Sequence, residues 1–154
     1  MNAFELSSGL FSHDTEVTCN RQRFALLRFG LSWKQLGTIS LVDGEYTVSK
    51  ESAFRDGLRL VYEEGVLCEA RIHESTQRVA YFDFDGVAYK ALWLSAVRVV
   101  LESGGRDTGA VELVESIPKR WRAVLQETIP ALASAFFLWL VIFNRIDEDN
   151  ANSS

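Results

Sequence analysis

At 154 residues, 47% hydrophobic and 24% charged, the chain has the composition of one globular domain with a sizeable core, which excludes general disorder. Sixteen Lys and Arg against 21 Asp and Glu leave a net charge of −5, and this balance opposes a nucleic-acid binder, which would need a basic stripe. Cys19 and Cys68, the only cysteines, stand far from any metal-ligand spacing, so they read as free thiols in a reducing compartment rather than as a disulfide or zinc site.

The amino terminus, Met1-Asn2-Ala3-Phe4-Glu5-Leu6-Ser7-Ser8, has neither a basic leader nor a continuous apolar run, so no secretory signal is read there and a cytoplasmic location is expected. From here to residue 126 the dominant period is two. Strands are expected around residues 4–11 and 16–18, then at 24–29, 36–42 and 45–49. In the next strand Leu58, Leu60 and Tyr62 share one face against Arg59 and Glu63. Val66, Cys68, Ala70 and Ile72 then face the core, with Glu69, Arg71 and His73 outside. Ala80, Phe82 and Phe84 oppose Tyr81 and Asp83, and residues 87–91 follow. Val97, Val99 and Leu101 oppose Arg98 and Glu102, and residues 110–115 and 121–126 complete about twelve strands.

Turn dipeptides punctuate these runs: Asp43-Gly44, Glu64-Gly65 and Asp85-Gly86 recur every 21 residues, and Gly104-Gly105 follows at nearly that interval. Each glycine would supply the positive φ of a tight hairpin. The pattern is a hairpin meander.

The last element is a helix over residues 129–145. Thr128 would cap it, Pro130 would sit in its first turn and Arg145 would complement its carboxyl end. Phe136, Phe137, Leu138, Trp139, Leu140 and Phe143 make it apolar on every face, so it must be enclosed all round. A bilayer is one enclosure: Lys119, Arg120 and Arg122 on one flank and an acidic tail at 147–154 fit the positive-inside rule. Yet residues 129–143 would span only roughly 22 Å, against about 30 Å of hydrocarbon. The other enclosure is the strands themselves, since about eleven or more leave room for an axial helix. The expected architecture is therefore mainly β: a closed antiparallel barrel of about twelve strands, built from hairpins around a carboxyl-terminal hydrophobic helix. It forms a single domain over residues 1–146, followed by a polar, frayed acidic tail.

With its hairpin series and its apolar run from Ile129 to Phe143, the chain resembles the tubby carboxyl-terminal-like superfamily, which includes tubby domains, phospholipid scramblases and LURP-one-related proteins. The resemblance implies a strand barrel around a terminal hydrophobic helix and covers almost the whole chain. It further implies a habit of binding anionic lipid headgroups through exterior cations. For this chain Lys119, Arg120 and Arg122 are the candidates for that contact, among outward-facing Arg59, Arg71 and Arg98. Glu63, Glu69, Glu102, Glu112 and Glu115 on comparable positions oppose it.

Catalytic chemistry is not evident. No nucleophile, base and acid are arranged together, no Gly-rich phosphate loop precedes a helix, and His13 and His73 lack neighbours at ligand spacing. Asp83 and Asp85 could approach a calcium ion, an idea the scramblase branch keeps alive, but an EF-hand is excluded because Leu94 takes the twelfth loop position. The plain alternative is an Asp-Gly hairpin with a solvated acid beside it. Trp33, Trp93 and Trp121 could form a stacking platform, but alternation turns Trp121 toward the core. The function expected is a non-enzymatic intracellular binding or scaffold module without metal or cofactor, engaging an anionic lipid surface or a protein partner. The alternative is a tail-anchored membrane protein with a cytoplasmic β domain, and a third is an enzyme joining His73, Asp83 and Asp85 in one pocket.

Overall fold

The computed structural model describes residues 1–9, 12–30, 32, 34–52, 55–74 and 76–152; Phe11 and Trp33 lie outside the described residues. Twelve strands run in chain order: β1 (Asn2–Ser8), β2 (Thr15–Cys19), β3 (Gln22–Phe29), β4 (Gly37–Leu41), β5 (Gly44–Ser52), β6 (Arg55–Tyr62), β7 (Gly65–Glu74), β8 (Arg78–Phe84), β9 (Val87–Ser95), β10 (Arg98–Ser103), β11 (Arg106–Ser116) and β12 (Lys119–Leu125). Each pairs antiparallel with its sequence neighbours, and β1 closes the barrel on β12, with Phe4 opposite Ala123 and Leu6 opposite Trp121. Closure leaves the sheet without an edge strand.

The helix α1 (Ala131–Asn152) lies inside. Phe136, Phe137, Leu138, Trp139 and Leu140 are fully buried, so the strands provide the enclosure that an all-round apolar helix demands. Among the described residues no helix is long and apolar enough to cross a membrane. Inward positions alternate along each strand, as at Val17, Ala25, Leu27, Leu60, Ala80 and Ala91. Small alanines sit among larger residues because the axial helix fills the same volume. The outward faces carry Glu5, Arg59, Arg71, Asp83, Arg98, Glu112 and Arg122, the opposite of the apolar band with which membrane barrels meet lipid.

Three details depart from the sequence reading. Thr128 does not cap the helix: residues 126–129 form a turn closed by Ile129 N–H on the Gln126 carbonyl, and α1 begins after Pro130, whose carbonyl accepts from Ser134 N–H at 3.0 Å. The acidic residues 147–149 do not fray but continue the helix. Alternation also fails at Val66, which is 49% exposed; Val97, 45% exposed, falls in the β9–β10 turn, and Tyr62, though 40% exposed at the barrel end, keeps its inward face against Tyr46 with ring centroids 5.0 Å apart. On the β6–β7 ladder Leu60 pairs with Cys68 but Val61 with Val66, so Leu67 is an extra residue on β7 and this bulge reverses the face of Val66.

The turns spaced every 21 residues all fall at one end of the barrel, because that interval is one complete up-and-down hairpin. Asp85-Gly86 and Gly104-Gly105 have the expected left-handed backbone, with φ of 50°, 77°, 61° and 75°. Gly44 and Gly65 do not: Glu63 takes the positive φ in the β6–β7 turn, and a Cβ built on Gly44 would meet the Tyr62 ring at 3.3 Å. The opposite end, where α1 emerges, is the mouth.

Candidate functional site

Near the mouth, positions that alternation assigns to the core hold charged residues. On β5 the inward series Tyr46, Val48 continues to Lys50, and on β7 Cys68, Ala70 and Ile72 continue to Glu74. Arg78 shares the parity of buried Ala80 and Phe82 on β8, and Lys119 that of Trp121 and Ala123 on β12. Arg78 and Lys119 meet the last turns of α1. Arg78 donates to Glu148 at 2.7 Å and approaches Glu74 at 2.5 Å. Lys119 pairs with Asp149, which also meets Arg145 Nε at 3.3 Å, and Arg145 donates to the Ala96 carbonyl at 3.1 Å. Inward cations therefore hold the acidic end of the helix in place, which explains why it stays helical.

A cavity of about 350 Å³ opens between α1 and the wall of β5, β6 and β7. Leu58, Ile72 and Phe143 give it an apolar lining, and Lys50, Glu74, Asn144 and Asp147 give it polar groups. Its position follows from the packing of α1, which runs nearest β3 and β4. There Trp139 stacks on Phe29 at 5.2 Å and donates its Nε1–H to the Arg28 carbonyl at 3.1 Å. Phe143, stacked on Trp139 at 4.8 Å, carries that packing to the cavity. Asn144 is only 7% exposed, and among the described residues its amide has no hydrogen-bond partner. The size and the mixed lining suit a small organic ligand with both an apolar body and charged ends.

The residues singled out by sequence fall elsewhere. Lys119 faces inward onto Asp149, so it does not share the exterior face on which lipid contact was expected. Arg120 is exposed and pairs with Glu115 at 3.2 Å. Arg122 is exposed between Glu5 of β1 and Glu112 of β11. The other exterior arginines are similarly matched: Arg59 lies 3.5 Å from Glu51 and 3.4 Å from Glu69, Arg71 lies 3.5 Å from Glu51, and Arg98 pairs with Glu112. Trp93 and Trp121 are buried, so neither presents a stacking face to solvent.

A second hollow, on the outside of β7, β8 and β9, does join His73 and Asp83, with Glu69, Arg71 and Tyr81 beside them. Asp85 lies off it on the β8–β9 turn. His73 meets the edge of the Tyr81 ring at 5.5 Å; among the described residues no carboxylate orients its imidazole, a partner that acid–base catalysis by histidine would use. No group of three metal-type ligands occurs among the described residues. His13 is exposed beside Ser8, Ser116 and Lys119 in a third hollow.

Sequence reasoning missed Lys50, Glu74, Asn144 and Asp147. The available signal was a charged residue continuing a core-parity series on two strands, together with Asn144 and Asp147 about one turn apart where the apolar run of the helix ends. No family model, curated protein or solved structure matches the chain.

Proposed function

We propose that the protein is a non-enzymatic binding module whose ligand enters the barrel mouth between α1 and β5–β7. The observation that carries this reading is Asn144, which is only 7% exposed, lines the cavity and has no hydrogen-bond partner for its amide among the described residues. Its amide opens to the cavity and can both donate to and accept from a ligand there. The rest of the molecule supports the same reading. The interior is filled by α1, and closure of the sheet removes the edges along which extended peptides add. A rigid shell with a recess at its end is suited to presenting a preformed site.

Kinship with the tubby-like superfamily is part of the proposal. Its support is architectural: strands in sequence order, closed by β1 on β12, around a terminal apolar helix. Contact of Lys119, Arg120 and Arg122 with anionic lipid draws less support, since Lys119 and Arg120 are engaged with Asp149 and Glu115. A mixed exterior attracts anionic vesicles weakly.

Two-dimensional amide NMR of the uniformly labelled chain during titration with a fragment library tests the site. Shifts confined to Lys50, Leu58, Ile72, Glu74 and residues 143–147 are the expected result. Fragments that shift only exterior residues, or sedimentation with anionic vesicles at low occupancy of the mouth, would displace this reading in favour of a surface binder.

A further inference from the structure

We infer that the ligand of the mouth is a small zwitterion, bearing an ammonium and a carboxylate on an apolar body the size of an amino acid. This rests on the binding-module reading above.

The helix ends in three consecutive acids, Asp147, Glu148 and Asp149. Consecutive helical positions point about 100° apart, so the three address different parts of the barrel wall. Glu148 meets Arg78 of β8 and Asp149 meets Lys119 of β12. The remaining acid, Asp147, and the remaining inward cation, Lys50 of β5, follow the same design but are not joined. Among the described residues neither forms an ion pair, and both line the cavity. The third pair of the series has been left open around a recess.

A ligand that closes this pair needs both charges. A simple amine would meet Asp147 but face Lys50 unmatched, and a simple carboxylate would meet Lys50 while opposing Asp147 and Glu74. Glu74 is already engaged by Arg78 at 2.5 Å, so Asp147 is the acid available to an ammonium group. A ligand carboxylate accepts from Lys50 Nζ, and the Asn144 amide can donate to that carboxylate or accept from the ammonium. Leu58, Ile72 and Phe143 then cover the apolar body. A volume of about 350 Å³ is at the small end of ligand sites, which favours a single amino-acid-sized molecule over a peptide.

The test titrates the intact chain with L-leucine, isoamylamine and isocaproate, following the Asn144 side-chain amide and the backbone amides of residues 143–147. The second probe lacks the carboxylate and the third lacks the ammonium. L-leucine is expected to bind about tenfold tighter than either. Lys50→Met should weaken L-leucine and isocaproate while sparing isoamylamine, and Asp147→Asn should weaken L-leucine and isoamylamine while sparing isocaproate. Far-ultraviolet circular dichroism of both variants confirms that they fold. A singly charged probe binding as tightly as L-leucine would overturn the zwitterion assignment yet leave the mouth as a ligand site. Silence from all three probes also overturns it, and the fragment screen then decides separately whether the mouth binds at all.

Discussion

Gly37 and Trp139 are fitted to each other: a Cβ built on Gly37 would lie 2.9 Å from the indole ring and 2.0 Å from the Arg28 carbonyl oxygen. That same oxygen accepts the indole Nε1 hydrogen. The helix is thus pinned to β3 and β4 by a contact that only glycine permits, and both obstacles to a side chain are rigid. Gly37→Ala should cost about 1–3 kcal/mol, the usual range for overpacking a filled core. Gly9 offers the control, because nothing lies within 4 Å of its Cβ and its φ is not positive. Urea unfolding should therefore show a clear loss for Gly37→Ala and almost none for Gly9→Ala. Equal losses would mean that the indole is not tightly seated.

Enclosure of α1 by the strands makes a sharper prediction at Leu138, which is fully buried. Leu138→Ala should lose about 2–5 kcal/mol through its cavity. Leu138→Asp places an unpaired carboxylate against the core, a cost comparable with the whole stability of a small domain. Circular dichroism and thermal melting should find it unfolded. A soluble Leu138→Asp protein that melts cooperatively would contradict the axial position of the helix.

Much of this fold can be read in the residues themselves. Period two, the turn dipeptides and the all-round apolar run around Leu138 determine strands, hairpins and an enclosed helix, because each is a local consequence of burial. What escapes is set by register. The bulge at Leu67, across from Leu60 and Val61, turns Val66 outward, and no residue type announces it. The site was less legible still. Lys50 and Glu74 read as strand-end polar residues until closure places their inward faces opposite Asn144 and Asp147. Lys119 was visible as a cation, but its partner Asp149 lies 30 residues away on another element. Only the closed barrel brings them together.

The clamp on the helix end can be measured directly. Arg78–Glu148 and Lys119–Asp149 are partly buried, and each should contribute on the order of 1 kcal/mol after screening. Arg78→Met and Lys119→Met should speed amide exchange at residues 147–149 while leaving Phe136 to Leu140 protected, because those residues are held by core packing. Raising salt should narrow the difference from the parent chain. Exchange that accelerates along the whole helix would show that the pairs hold the entire core element and not its last turn alone.

Cys68 gives the fold a pH dependence on the alkaline side. Burial first, and then the charges of Asp83 and Glu69, push its thiol from 9.0 up to about 12. The unfolded thiol ionises near its ordinary value while the folded one stays neutral, so the unfolded state releases its proton first. The stabilising contribution is thus complete below pH 9 and declines as pH rises from there toward 12. Within that window the slope approaches about 1.4 kcal/mol per pH unit. Burial also raises Tyr46, aided by Asp43, and Tyr89, aided by Asp85. Unfolded tyrosines ionise only near 10.0, so a decline that begins one unit lower belongs to the thiol. Urea midpoints measured from pH 8 to 10 should fall for the parent chain and stay flatter for Cys68→Ala, despite the lower starting stability of that variant. In the native state half-buried Cys19 should react with a thiol reagent well before Cys68. Identical alkaline slopes in the two proteins would assign the effect to other groups and remove Cys68 from the titration.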